Sequence, residues 1–223
     1  MQIVEPTMTS SLESFFDHTC LKPDASFMDI DKLCEEAAEH RFYSVCVAPS
    51  WVKHAKERLQ DLKSNVKICT VVGFPHGNTT IESKVKLIEE LKEVVDEFDV
   101  VIDIGKIKSG WWSDIDLEVK AIKATGATIK YIVEVGYLNE DELHGAIRHL
   151  SRHRIDFIKT CTGYGPRNVT IEDIEEIKRY TGGRPEIKAS GGIKTKEFAL
   201  ALINAGAGRI GSSSSVAIVT DES

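Results

Sequence analysis

Eight short apolar runs, spaced by amphipathic helices in a chain of 223 residues, predict an α/β fold: a single (β/α)8 TIM barrel with a short N-terminal extension. The runs are too short for helices and too continuously apolar for strands with one wet face, which is the pattern of a parallel sheet covered on its outside. They recur roughly every 28 residues, a spacing that suits a closed barrel better than a doubly wound sheet. No GxGxxG follows any of them, so a dinucleotide-binding fold gains no support. No linker, charge block or low-complexity stretch divides the chain, and residues 1–223 are expected to form one domain.

FFDHT at 15–19 reads as the first strand. Ser26 and Asp29 resemble a capping box, and behind them Ile30, Leu33, Cys34, Ala37 and Ala38 fall on one helical face. SVCV at 44–47, KICTVV at 67–72, DVVIDI at 99–104, IKYIVEV at 129–135 and DFIK at 156–159 follow as strands. A second capping box, Thr170 with Asp173, opens a helix that carries Ile171, Ile174 and Ile177 on one side. EIKA at 186–189 and GRIG at 208–211 complete the set.

Composition narrows the function. Hydrophobic residues at 42% and charged residues at 28% describe an ordinary globular chain with a sizeable core. Asp and Glu number 35 against 28 Lys and Arg, and the net charge of −7 repels nucleic acid and anionic membranes, so neither is expected as a partner. No apolar run approaches a membrane span, and the opening residues lack the basic and apolar regions of a signal peptide. Five cysteines without a CxxC pair fit reduced thiols in a cytoplasmic protein.

Charges interrupt the strands in a pattern. By alternation Asp99, Val101 and Asp103 share one face, Lys130, Ile132 and Glu134 another, Phe157 pairs with Lys159, and Glu186 with Lys188. Taken singly, each such charge is an ordinary strand-end cap or structural ion pair. Four strands doing so together direct charges of both signs at the lumen or its C-terminal rim, where barrel catalytic groups sit. Lys159 ends its run just before TCTGYG. A lysine in a partly desolvated pocket beside another cation becomes a nucleophile toward carbonyls, Lys188 is a suitable second cation, and Asp99 can hold or relay a proton.

Three loops after the last three strands are rich in glycine and serine: Thr162 to Gly165, Ser190 to Gly192, and Gly211 to Ser215. Such loops let backbone N–H groups approach an anion, and a short helix over SSSVAIV would add donors. They read as a phosphate site. His144, His149 and His153 lie in the polar stretch RHLSRHR and its approach, and are expected on a solvated helix face rather than on a metal. Trp111 and Trp112 are expected to start a helix and to pack.

The segments FFDHTCLKPDAS, SVCVAPSWV, CTVVGFPHG, DVVIDIGKIKSG, YIVEVGYL, DFIKTCTGYG, IKASGGIKT and AGAGRIGSSSS resemble the deoxyribose-phosphate aldolases, in order and along nearly the whole chain. The resemblance implies a class I aldolase without metal or other cofactor, reversibly cleaving 2-deoxy-D-ribose 5-phosphate to D-glyceraldehyde 3-phosphate and acetaldehyde. It implies Lys159 as the Schiff-base lysine, Lys188 as the second lysine and Asp99 as the proton-relay carboxylate. Asp17, Thr19, Cys46 and Thr162 match substrate-pocket positions, and Gly163, Gly191, Gly192, Gly211, Ser213 and Ser214 match the phosphate site. Phosphosugar and aldehyde are then the small-molecule partners, and a homo-oligomer, dimer or tetramer, is expected.

The chain departs from the family pattern at His76 and Asn78 in GFPHGN, at the lead-in to EFDVVIDIG, and at its end, VTDES, where some members carry a tyrosine implicated in proton transfer. On the residues alone, a class I aldolase for a different phosphosugar and a non-catalytic phosphosugar-binding barrel remain alternatives.

Overall fold

The computed structural model describes residues 11–220, so the expected N-terminal extension and the last three residues of the tail lie outside the described part. Eight parallel strands close into one barrel in sequence order. They are β1 (Phe16–Cys20), β2 (Ser44–Val47), β3 (Lys67–Val72), β4 (Glu97–Val101), β5 (Thr128–Ile132), β6 (Phe157–Lys159), β7 (Glu186–Ser190) and β8 (Arg209–Ser212). The ring closes where Asp17 of β1 aligns with Gly211 of β8.

The helices are α1 (Phe27–His40), α2 (Val52–Asp61), α3 (Ile81–Leu91), α4 (Ile104–Lys108), α5 (Trp112–Lys123), α6 (Glu140–Arg152), α7 (Ile171–Thr181), α8 (Lys196–Ala205) and α9 (Ser215–Thr220). Both predicted capping boxes form, at Ser26 with Asp29 and at Thr170 with Asp173. A third, Asn139 with Glu142, opens α6.

The first and last strands shift by one residue from their expected bounds, and two others are displaced further. The run placed at 99–104 pairs as Glu97–Val101 instead, because Asp103 turns outward as the N-cap of α4 and accepts from the Lys106 N–H at 3.2 Å. The run at 129–135 ends at Ile132, because Glu134 adopts left-handed backbone (φ 52°) and breaks the alternation.

Burial divides the interior into two spaces. Outward-facing strand residues such as Val45, Val100, Tyr131 and Ile158 meet the apolar faces of the helices, including Ile30, Ile115 and Ile174, in one continuous dry shell. Among inward-facing residues, Cys46, Cys69 and Val71 form a small apolar group, and Val101, Ile132 and Phe157 are also turned inward, away from the outer core. Beside them the lumen holds a concentration of buried charge.

Candidate active site

Register places the lumen charges in layers. Asp99 on β4 lies beside Lys130 on β5, Lys159 on β6 aligns with Lys188 on β7, and Lys188 aligns with Arg209 on β8. All point inward, and all are buried. Asp99 is the hub. Its Oδ2 accepts from Lys159 Nζ at 2.7 Å and from Lys188 Nζ at 2.7 Å, while its Oδ1 accepts from Lys130 Nζ at 3.0 Å and from the Cys69 thiol at 3.2 Å.

Below this layer Asp17 pairs with Lys188 at 2.5 Å and Arg209 at 2.8 Å and accepts from the Ser44 hydroxyl at 2.7 Å. Glu97 pairs with Lys130 at 2.6 Å and Arg209 at 2.8 Å. The Arg209 guanidinium stacks over Tyr43 at 3.5 Å, which holds its plane across the barrel.

Electrostatics follow from this packing. Burial alone would raise the Asp99 carboxyl, but Lys130, Lys159 and Lys188 outweigh it and hold the group well below the usual carboxylate range. Asp17 is held down in the same way, against burial, by Lys188, Lys130 and Arg209. Burial would also strip Lys188 of its proton, yet Asp17 and Asp99 keep it above the ordinary lysine value. The expectation that Lys188 acts only as a like charge beside Lys159 is therefore refined. The two lysines share one carboxylate oxygen, and Lys188 stays charged because it also holds Asp17.

A cavity of about 440 Å³ opens at the C-terminal end of the barrel. Lys159 lines its floor, together with Thr19, Thr162, Gly163, Gly191, Gly192, Gly211, Ser213 and Ser214. Lys130 and Lys188 lie beneath the floor with no exposed surface. Gly191 (φ 100°) and Gly192 (φ 76°) have left-handed backbone, and a Cβ on Gly191 would lie 2.9 Å from that of Cys161. Glycine is required at both positions to bring the loop this close. Lys22, Lys32 and Lys194 also line the cavity. The sequence reading missed these three, although Lys22 in CLKPD and Lys194 in GGIKT stand in segments it had singled out.

Thr162 is oriented by Glu134. One Glu134 oxygen accepts both the Thr162 N–H, at 2.9 Å, and the Thr162 hydroxyl. The Tyr164 hydroxyl donates to the Leu21 carbonyl at 2.9 Å and its ring meets Phe74 edge-on, joining the loops after β6, β1 and β3. Asp17 and Cys46, expected on the substrate wall, do not line this cavity. Both are fully buried in the lumen: Asp17 lies two residues deeper along β1 than Thr19, which does line the cavity, and Cys46 is covered by Cys69 and Val71 of β3.

Glu97 and Arg209 were also missed. Glu97 stands two residues before Asp99 and Arg209 two before Gly211, so alternation assigns both to the lumen once the strand starts are known.

Among the described residues, two groups bring three ligand-type atoms within 4.8 Å of one another. Cys46, Cys69 and Asp99 form one, but the amino groups of Lys130, Lys159 and Lys188 already occupy that carboxylate. Glu140, His144 and Glu176 form the other, where His144 pairs with Glu176 at 2.5 Å and Arg179 takes the second Glu176 oxygen at 2.7 Å. The expectation of a solvated face for His144, His149 and His153 is corrected, because each bonds a carboxylate of a neighbouring helix. His144 stacks on Tyr180, and His149 and His153 both bond Asp116 of α5. Neighbouring helices supply partners that a single helix does not disclose. Trp112 packs as expected, stacked on His149 and seated over Gly145, whereas Trp111 beside it is exposed.

A family model described as DeoC/LacD family aldolase matches residues 14–219. The chain belongs to this aldolase family. A deoxyribose-phosphate aldolase of Thermococcus gammatolerans is 45% identical over 213 residues, covering 93% of this chain and 95% of the relative. Its counterpart in Dictyoglomus turgidum is 44% identical over 206 residues, covering 91% and 93%. Among solved structures, an aldolase named QR15 superposes with a TM-score of 0.89 at 37% identity, covering 95% of each chain. A deoxyribose phosphate aldolase from Aeropyrum pernix, described as a unique tetramer, superposes with a TM-score of 0.85 at 28% identity, covering 95% of this chain and 90% of that one. Within this aldolase family the lysine-floored cavity falls at the barrel face where catalysis is expected. No helix among the described residues is long and apolar enough to cross a membrane.

Proposed function

We propose that the chain cleaves 2-deoxy-D-ribose 5-phosphate reversibly to D-glyceraldehyde 3-phosphate and acetaldehyde, through a Schiff base on Lys159. One observation carries the reading: of the four cations gathered in the lumen, only Lys159 reaches both the Asp99 hub and the cavity. The matching names of its relatives from Thermococcus and Dictyoglomus support the choice of substrate.

In the cleavage direction, the neutral Lys159 amine attacks C1 of the open-chain aldehyde, and the carbinolamine loses water to give an iminium. The C3 hydroxyl proton leaves, by way of water in the cavity, to the Asp99–Lys188 pair. The C3 oxygen becomes the carbonyl of glyceraldehyde 3-phosphate as the C2–C3 bond breaks, and that electron pair moves into the iminium to form an enamine. A proton returns to C2, and hydrolysis releases acetaldehyde and the free amine. The phosphate is held by the loops at Gly163, Gly191, Gly192, Gly211, Ser213 and Ser214, with Lys22 and Lys194 as cations. Remote binding energy thereby orients the bond that breaks. Thr19 and Thr162 contact the sugar hydroxyls, and Asp17 and Cys46 act from beneath the floor. Residues 1–223 act as one catalytic domain, in the cytoplasm, as a homo-oligomer.

Borohydride reduction in the presence of deoxyribose 5-phosphate, read by peptide mass spectrometry, is expected to place the adduct on Lys159. Lys159→Leu is expected to lower cleavage by about 1000-fold or more with the fold intact. An adduct on another lysine, or substantial turnover by the leucine variant, overturns the assignment.

A further inference from the structure

The lumen holds more cations than carboxylates. Asp17, Glu97 and Asp99 supply three negative charges, and Lys130, Lys159, Lys188 and Arg209 supply four groups able to carry a positive one. Unbalanced charge is costly in so dry a space, and the cluster becomes neutral when one cation gives up its proton. The contacts decide which one. Lys130 touches Glu97 at 2.6 Å, Asp99 at 3.0 Å and Asp17 at 3.5 Å. Lys188 touches two carboxylates and Arg209 two. Lys159 touches Asp99 alone. Losing the proton from Lys159 therefore strands the fewest carboxylate contacts.

We propose that Lys130, which lies outside the cavity, is a positioning residue that frees Lys159 to be neutral by supplying the third positive charge the carboxylates require. This rests on the Schiff-base reading of Lys159. Without the Lys130 charge, three carboxylates would face only Lys188 and Arg209, and the missing charge would have to come from a protonated Lys159, which cannot attack a carbonyl.

Every strand around Lys130 contributes to the count. β1 brings Asp17, and β2 brings the neutral Ser44 and the Cys46 thiol. β3 brings Cys69, which accepts from Lys130 at 3.3 Å and whose thiol burial pushes well up, so that it adds no charge. β4 brings Glu97 and Asp99, and β6, β7 and β8 bring Lys159, Lys188 and Arg209. The Cys46 thiol, hydrogen-bonded to Cys69, is held below its ordinary value by that bond against burial. It is the one other group able to alter the count, so it has its own arm in the test.

The experiment is the pH dependence of kcat/KM for deoxyribose 5-phosphate cleavage in the wild-type chain and in Lys130→Met, Glu97→Gln and Cys46→Ala, with borohydride trapping of the wild type alongside. Lys130→Met is expected to move the acid limb up by about one pH unit or more, losing about tenfold at neutral pH and recovering in alkali. Glu97→Gln, nearly isosteric and one negative charge short, is expected to move the limb down. Cys46→Ala is expected to leave it in place. A merely structural role for Lys130 would lower the whole profile without moving its limb. If Lys130→Met does not fold, the sign of the Glu97→Gln shift decides alone. An unmoved limb, shifts of the same sign in both charge variants, or a downward shift in Cys46→Ala as large as that in Glu97→Gln overturns the proposal. Failure of the wild type to be trapped on Lys159 overturns the Schiff-base reading and this proposal with it. Trapping on Lys159 with an unmoved limb overturns this proposal alone.

Discussion

Ile30, Ile115, Ile158 and Ile174 fill the shell between sheet and helices, whereas Asp17, Glu97, Asp99, Lys130, Lys188 and Arg209 fill the space a few ångströms away inside the same sheet. Both sets are buried, and one strand often serves both: in β6, Ile158 faces the helices while Phe157 and Lys159 face the lumen. The shell is stabilised by non-directional removal of apolar surface from water, so it tolerates exchange of residues that conserve volume. The lumen depends on each charge finding its partner, so deleting one member leaves another buried and uncompensated. The shell has a charged exception of its own: Lys84, with no exposed surface, pairs with Glu118 at 2.9 Å and donates to the Val101 carbonyl at 2.8 Å. Apolar packing and paired, reactive charge are thus assigned to opposite faces of one sheet.

The sharpest way to break this division is at its hub. Asp99→Asn leaves three lysines without their shared anion, and unfolding free energy by denaturant titration is expected to fall by about 3–5 kcal/mol, with cleavage lost as well. A retained midpoint would show that the lumen charges are not coupled as the contacts imply. Acidification probes the same set without mutation. Asp17, Glu97 and Asp99 are held below their ordinary values, so the stability they contribute is fully present above the unfolded carboxylate range of about 4. It is lost as pH falls through their lower folded values. Denaturant midpoints measured from pH 7 down to pH 3 are expected to decline mainly below about pH 4. A midpoint as stable at pH 3 as at pH 7 would contradict the assignment. The smallest effect is expected from the shell. Ile158→Val removes one methylene from the opposite face of the strand bearing Lys159, and should cost about 0.5–1.5 kcal/mol while leaving the pH–rate profile unshifted. A shifted profile would show that the two faces communicate.

Much of the barrel was legible in the chain because each βα unit carries a local signal. The capping boxes at Ser26 and Thr170 form from residues three apart, and the runs at 44–47 and 67–72 pair with the bounds their apolar residues mark. Lys159, the two glycine loops after β6 and β7, and Gly211 to Ser214 converge on one cavity, as their positions at strand ends imply. The displaced bounds of β4 and β5 were not legible, because the cap by Asp103 and the left-handed Glu134 depend on where the chain turns after leaving the sheet.

Alternation by itself directed charges of both signs into the lumen, and together with the resemblance it predicted Lys159 as their reactive member and an anion site at the C-terminal rim. Only the closed sheet decided which charges meet. Asp17 and Arg209 are 192 residues apart, on the two strands whose pairing closes the ring, and Lys188 and Asp99 are 89 apart, on strands three places apart; each pair joins inside the barrel within 3 Å. Strand periodicity is a property of neighbouring residues, so a sequence carries it plainly. Charge compensation in a dry lumen is a property of distant strands brought into register, and it exists only once the barrel has closed.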